Sequence, residues 1–410
     1  MPIDDKRLMG LISARQSAAR AGHGFESVTN EMIDEGEAPH AADVLGAVVK
    51  NLNALPEDEK GDPIAFAAAL ELLVSHSEKA LQRYHAGERK PFARDERGAL
   101  EAVVKADGSR PALLLKEGEA NANHPLAGAW KDSIVSTRDA VRDLASSVGR
   151  IEPTDASSTR YFGTGWVVDS AKGFILTNRH VLDKALERET TVCEPEGAGY
   201  RIKEGVYIDF DCETGVDTVN RFRVVGAMPA SAAGAEFAAL DAAVLRIEPI
   251  PGDRGSRTPV PKPVRVRADS DATAKLSLPS MCVVGFPGPP PAVSGIQKID
   301  KAGKINWAWV DGILFGSKYG LKRLAPGAVD RKAGHLGPAD PNGWIFGHEA
   351  TTLGGNSGSP VFAWTAAGRG YAFGLHYSGN TLVSNRAFAV AAAAVPLGKL
   401  GVPIEADDAW

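Results

Sequence analysis

Apolar side chains recur at helical spacing through the first quarter of the chain. Over residues 5–21 the positions are Leu8, Leu11 and Ile12. Over 40–55 they are Val44, Leu45, Val48, Val49 and Leu52, and over 63–84 they are Phe66, Leu70, Leu73 and Val74. Steps of three and four put each set on one helix face. Pro63 suits a first helical turn, where the missing N–H is not needed. With a further helix expected over 94–105, residues 1–105 read as a compact all-α bundle.

Residues 106–149 read as a connector. Gly108, Pro111, Gly118 and Pro125 break its first part, and 132–148 carries one amphipathic helix with Ile134, Val135, Ala140, Val141 and Leu144 on a stripe that stops at Gly149. From residue 160 the pattern changes to β. Segments 166–168, 174–177, 206–210, 222–225, 242–247, 281–284, 361–364 and 371–376 read as short strands between Gly, Pro and Asp clusters. Short strands with frequent turns predict antiparallel barrels rather than a parallel α/β sheet. Within 285–350, the segments 305–314 and 318–324 read as further strands, and 286–291 and 330–343 as loops. The fold class expected is α+β multidomain: an N-terminal all-α domain, then an all-β domain over 150–410.

Composition narrows the function. The chain has 410 residues, 44% of them hydrophobic, enough for one large core or two. A net charge of −5 supplies no basic excess for phosphates, so no nucleic-acid partner is expected. No apolar run approaches the roughly 20 residues of a membrane span, and no membrane partner is expected. Residues 1–7 are mixed in charge and lead into no secretory apolar region, so the reading is a cytoplasmic protein. Cys193, Cys212 and Cys282 are odd in number and form no Cys-x-x-Cys pair; they read as reduced thiols, with a Cys193–Cys212 disulfide left open. Nothing has zinc-ligand spacing, so no metal site and no cofactor are expected.

The chemistry concentrates at Thr351-Thr352-Leu353-Gly354-Gly355-Asn356-Ser357-Gly358-Ser359-Pro360-Val361-Phe362. This glycine-rich turn presents Ser357 beside the backbone amides of Gly355 and Ser357 itself. A serine nucleophile beside donors for a developing oxyanion is what acyl transfer needs. It also needs a base and a group to orient that base. His180, at the end of an apolar strand and in Thr177-Asn178-Arg179-His180-Val181, and Asp241, heading Asp241-Ala242-Ala243-Val244-Leu245, are the candidates. Taken singly, each also reads as an ordinary strand-end or turn residue. Asp183 is nearer to His180 in sequence but falls on the following helix-like segment.

Together the three motifs, in the order His, Asp, Ser, resemble the chymotrypsin-fold (trypsin-like) serine proteases, chiefly the bacterial HtrA-type and glutamyl endopeptidase branches. The resemblance covers residues 150–402. It implies two six-stranded β-barrels with a His180–Asp241–Ser357 triad in the cleft between them and an oxyanion hole from Gly355 and Ser357. It also implies a protein or peptide substrate. The segment Tyr371-Ala372-Phe373-Gly374-Leu375-His376-Tyr377-Ser378-Gly379 resembles the specificity-pocket strand of glutamyl endopeptidases, and Thr352 matches a pocket threonine of those enzymes. That likeness implies substrate contacts from Thr352, His376, Tyr377, Ser378 and Gly379, and cleavage after Glu, with Asp or Gln as lesser options.

Two features depart from the pattern. About 150 residues precede the protease segment where secreted glutamyl endopeptidases use a freed N-terminal amine, which makes self-cleavage near Glu152 an expectation to check. The residues after Gly379 leave no room for the PDZ domain of the HtrA type. The helical domain reads as a regulatory or adaptor module able to hold a protein partner, an arrangement similar to bacterial multidomain proteases of conflict or stress signalling. The alternative is a non-catalytic adaptor in which the protease fold is a scaffold.

Overall fold

The computed structural model describes residues 5–6, 8–10, 12–13, 40–250, 259–274, 281–288, 298–299, 304–315, 318–336, 340–363, 370–380 and 384–406. The N-terminal region is helical, as its periodicity predicts: α1 spans Ala41–Asn53, α2 Pro63–His85 and α3 Arg94–Ala106. Helix α2 starts where Asp62 accepts the Ala65 N–H at 2.7 Å and Pro63 occupies the first turn. Helix α3 starts where Glu96 accepts the Ala93 N–H at 2.9 Å while pairing with Arg83. Of the helix expected over 5–21, the described residues are helical and the remainder lies outside them. Asp5 fastens that piece to α3 by accepting from Phe92 N at 3.0 Å and Arg97 Nε at 2.8 Å.

The stretch after α3 is more ordered than its glycines and prolines predict. Strands β1 (Leu113–Lys116) and β2 (Glu119–Ala120) pair with each other. The helix expected over 132–148 is two, α4 (Lys131–Ser136) and α5 (Arg138–Ser146). They break at Thr137, whose hydroxyl donates back to the Ser133 carbonyl at 2.6 Å and competes with the helix ladder.

Two antiparallel sheets follow. The first contains β3 (Val148–Pro153), β4 (Gly163–Asp169), β5 (Phe174–Thr177), β6 (Val192–Glu196), β7 (Gly199–Glu204), β8 (Val206–Asp209), β9 (Arg221–Pro229) and β10 (Ala243–Pro249). Its order is β10-β5-β4-β3-β8-β9-β7-β6, and an additional β10–β9 pairing closes six of these strands into a barrel, with β7 and β6 extending from it. Between β5 and β6 lies helix α6 (Arg179–Leu186).

The second sheet uses β11 (Met281–Gly285), β12 (Arg323–Gly327), β13 (Val329–Arg331), β14 (Ile345–His348), β15 (Pro360–Ala363), β16 (Tyr371–Asn380) and β17 (Ser384–Ala389) together with β1 and β2. Its order is β13-β14-β17-β16-β15-β11-β12-β1-β2, with no closing pair among the described residues. The second closed six-stranded barrel expected from the sequence is therefore not seen there. One end of the sheet is extended instead by β1 and β2, with Leu113 of β1 opposite Leu324 of β12. Segment 305–314 is another correction. It contains helix α7 (Trp307–Leu314), not a strand, with Val310 and Leu314 buried four residues apart. A short apolar run fits either structure, and here the helical face is chosen by packing on α2 and α3. The strand expected over 318–324 begins only at Arg323.

Strand alternation explains the packing. In β4, Val167 points into the barrel core with Ile151, Ile175, Ile208 and Phe222, while Trp166 and Val168 point to a larger core shared with the helices. In β11, Met281 and Val283 join Phe346, Val361 and Phe373 on one side, and Cys282 and Val284 join the shared core on the other. Sheets covered on both faces need continuous apolar runs, which is why Met281-Cys282-Val283-Val284 shows no polar alternation.

Candidate active site

Register brings the first two candidate residues together. Strand β10 pairs antiparallel with β5 so that Ala243 faces Thr177. Asp241 precedes that pair and His180 follows it, so both emerge at the same end of the barrel. Asn178 clamps the crossing by donating from Nδ2 to the Asp241 carbonyl at 2.8 Å. Asp241 then grips His180 twice: Oδ1 accepts the His180 backbone N–H at 2.8 Å, and Oδ2 stands 2.6 Å from Nδ1. Asp183 takes no part; it lies 3.6 Å from Arg179, one turn away on α6.

The serine loop is held against the same barrel end. Thr164 N donates to the Ser357 carbonyl at 2.9 Å, and Thr164 Oγ1 donates to the Gly355 carbonyl at 2.8 Å. Gly163 makes room: a Cβ there would meet Val181 Cγ2 at 2.7 Å and the Ser357 carbonyl at 2.9 Å. Gly355 has φ +93°, and a Cβ on it would meet the Phe286 carbonyl at 2.5 Å. Glycine is required at that turn.

With the Gly355 carbonyl turned to Thr164, the amides face the other way. The N–H groups of Asn356, Gly358 and Ser359 donate to Leu353, His376 and Asn356 carbonyls at 3.1, 2.9 and 2.9 Å. Among the described residues, those of Gly355 and Ser357 donate to no protein acceptor. Two unspent donors lie beside a half-buried serine, an arrangement suited to an anionic oxygen.

His376 belongs to the same locus. Its backbone brackets the serine loop, donating to the Ser359 carbonyl and accepting from Gly358 N, both at 2.9 Å. Burial pushes its pKa down to about 3, and the nearby His180 pushes the same way, so the ring is neutral. His348, a residue the sequence reading passed over, lies behind it: Nε2 of His348 is 3.1 Å from Nδ1 of His376. In sequence His348 stands two residues after Phe346 in Ile345-Phe346-Gly347-His348, a spacing that puts both on one strand face. Thr352 and Gly379 are neighbours, a Gly379 Cβ falling 3.3 Å from Thr352 Oγ1. That hydroxyl is buried and has no hydrogen-bond partner. Ser378 faces Arg386 across β16 and β17, and Arg386 lies beside the Tyr377 hydroxyl, bringing to this wall a cation that sequence reading missed. Tyr377, Ser378 and Gly379 thus lie together with His376 on one strand. Among the described residues, Glu152, Asp209 and Cys212 lie close enough together to share a metal ion, on the first barrel, where Arg150 and Arg221 hold Glu152 at 2.7 and 3.0 Å.

The chain is similar in sequence to known proteins. A family model for the trypsin-like peptidase domain covers residues 163–369. A probable serine protease of Lysobacter enzymogenes is 33% identical over 401 residues, covering 97% of this chain and 99% of that protein. The chain belongs to the trypsin-like serine peptidases. It is a hydrolase, and its substrates are proteins or peptides. Crystal structures of the Rv3671c protease of M. tuberculosis, in inactive and active forms, align over 65% of this chain at 16% and 17% identity. They cover 94% and 86% of those chains, with TM-scores of 0.33 and 0.34. No helix among the described residues is long and apolar enough to cross a membrane.

Proposed function

We propose that this peptidase is an endopeptidase working through His180, Asp241 and Ser357, with Gly355 and Ser357 amides as the oxyanion hole and the second sheet as counterpart of the closed barrel. The observation that carries the reading is the double grip of Asp241 on His180, at 2.6 and 2.8 Å. With Asp241 accepting from Nδ1–H, Nε2 is left as the basic nitrogen. It takes the Ser357 proton as Oγ bonds to the scissile carbonyl carbon. The carbonyl becomes an oxyanion held by the two free amides. The imidazolium then returns the proton to the leaving amine, and water repeats the sequence on the acyl-enzyme. Asp241 stabilises the imidazolium throughout.

Preference for Glu before the cut is the accompanying proposal. A His348 N–H donated to His376 Nδ1 leaves Nε2–H of His376 as a donor, and Thr352 Oγ1 is a second unpartnered polar group nearby. Both suit a carboxylate, with Arg386 adding positive charge. The whole proposal is tested by fluorophosphonate labelling of the full chain beside Ser357→Ala, followed by a peptide panel varying only the residue before the cut. Labelling unaffected by Ser357→Ala overturns the nucleophile, and a preference for Arg or Leu overturns the pocket.

A further inference from the structure

A cavity of about 420 Å³ lies where the helices meet the second sheet. That is within the range of small-molecule sites. One wall is a single face of α3: Arg94, Gly98, Glu101 and Lys105 recur at steps of four, three and four and all line it. Gly98 lets the opposite wall approach, since a Cβ there would meet the Trp307 ring at 2.5 Å. Trp307 is fixed by donating its indole N–H to Asp95 at 3.0 Å. The far end is formed by Leu353 and Gly354, immediately before Gly355.

Most of this lining is apolar, and several of its charged groups are paired. Lys105 is 2.6 Å from Asp311, Glu59 is 3.2 Å from His124, and Arg323 donates to the Ala112 carbonyl at 2.7 Å. Glu101 differs. It is 6% exposed, and its Oε1 is buried with no hydrogen-bond partner. The charged groups facing it are Lys105 and Arg97 on its own helix, Arg110 just after it, and Asp311 on α7. Arg97 is held by Asp5 at 2.7 Å and Arg110 lies 3.5 Å from Glu349. Burial raises the Glu101 carboxyl to about 9, so at neutral pH it carries its proton.

A buried polar atom without a partner, on the wall of a mostly apolar cavity whose other charged groups are largely paired, asks for a ligand group that can donate to it. We propose that this cavity binds a small amphipathic amine, its hydrocarbon or ring body between α3 and α7 and its ammonium on Glu101, and that occupancy sets the conformation of the serine loop. The coupling is contiguous. Thr351 Oγ1 donates to the Arg110 carbonyl at 2.6 Å just past the end of α3, and the Leu353 carbonyl accepts from Asn356 N at 3.1 Å. Both the helix exit and the serine turn are therefore hydrogen-bonded to the wall. The loop effect rests on the proposed role of Ser357; the binding does not.

The test uses the full chain and 4-phenylbutylamine, with 4-phenylbutan-1-ol and 4-phenylbutanoate as controls of equal length. Calorimetry is expected to give one saturable site for the amine, at least tenfold weaker for both controls and for Glu101→Gln. Titration at pH 7 in buffers of different ionisation enthalpy is expected to report close to one proton released per amine bound, as Glu101 ionises. Leu114→Trp, which fills the cavity, is expected to abolish binding while the protein remains folded. Ser357→Ala is expected to bind the amine as wild type does, which separates this site from the cleft. Saturating amine is expected to change the rate of fluorophosphonate labelling several-fold in wild type and not in Glu101→Gln. Equal amine affinity in Glu101→Gln, or no saturable binding, overturns the site. Binding with an unchanged labelling rate overturns the coupling.

Discussion

His348 Nε2 lies 3.1 Å from His376 Nδ1, with both rings buried and their centroids 5.2 Å apart in an edge-on arrangement. Burial, with repulsion from His376 and Arg110, holds the His348 pKa well below its ordinary value, and burial with repulsion from His180 takes that of His376 down to about 3. In the unfolded chain both titrate near 6.5.

The consequence for stability has a definite sign. Between pH 6.5 and about 3 the unfolded chain binds protons that the folded chain refuses. The stability is therefore fully present above pH 6.5 and lost as pH falls toward 3, by up to about 1.4 kcal/mol per pH unit for each ring. Urea midpoints measured from pH 7 to pH 4 should fall more steeply in wild type than in His348→Leu. Parallel slopes would contradict the buried neutral pair.

Asp241→Asn should leave the fold intact and lower kcat by about 10³- to 10⁴-fold, because an amide can hold the wrong His180 tautomer. Peptide hydrolysis with initial-rate kinetics checks this, with KM expected to change little. A loss below tenfold would assign the orienting role elsewhere.

Gly355→Ala forces a side chain onto a backbone with φ +93° and against the Phe286 carbonyl. Stability should drop by roughly 1–3 kcal/mol. Labelling of Ser357 should slow by about 100-fold or more as the amides leave their alignment. Denaturation and probe kinetics on the same preparation would separate the two effects.

Lys322 is fully buried, and its ammonium donates to the Ala145 and Phe210 carbonyls at 2.7 Å each and to Glu213 at 3.1 Å. Lys322→Met leaves those acceptors stranded and should destabilise by about 3–5 kcal/mol. Adding Glu213→Gln should recover part of the loss, because it removes the uncompensated charge. Equal stability of single and double variants would count against this explanation.

The N-terminal helices and several first-barrel strands could be read from sequence because each is a local pattern: α2 from Pro63 in its first turn and its apolar stripe, β5 and β10 from apolar runs. The same kind of local pattern singles out His180, Asp241 and the glycine-rich turn at Ser357, whose joint role is the function proposed above. What escaped was set by distant partners. Helix α7 looked like a strand because the run Ile305–Leu314 fits both periods, and packing on α2 and α3, with Asp95 and Gly98 more than 200 residues away against Trp307, selects the helix. Strand β1 was hidden among Gly and Pro because its partner β12 lies on the other side of the first barrel in sequence. The role of His348 stayed hidden because burial and a second histidine define it, and neither is local. The closure of the second sheet was an inference from resemblance, and no pairing among the described residues completes it.

The path of the chain through β1 has a mechanical meaning. The polypeptide leaves the helices, lays a strand along the edge of the second sheet, and only then starts the first barrel at Val148. The helical segment is threaded into the peptidase rather than hung from it. A nick between residues 121 and 147 would leave it in place, since β1 stays zipped to β12 from Leu113 to Leu114. Detaching it means pulling a strand from a sheet and baring apolar Leu113 and Leu115. Helices and sheet should therefore melt as one cooperative unit, and any signal the helices carry has to reach the serine as strain through an intact body.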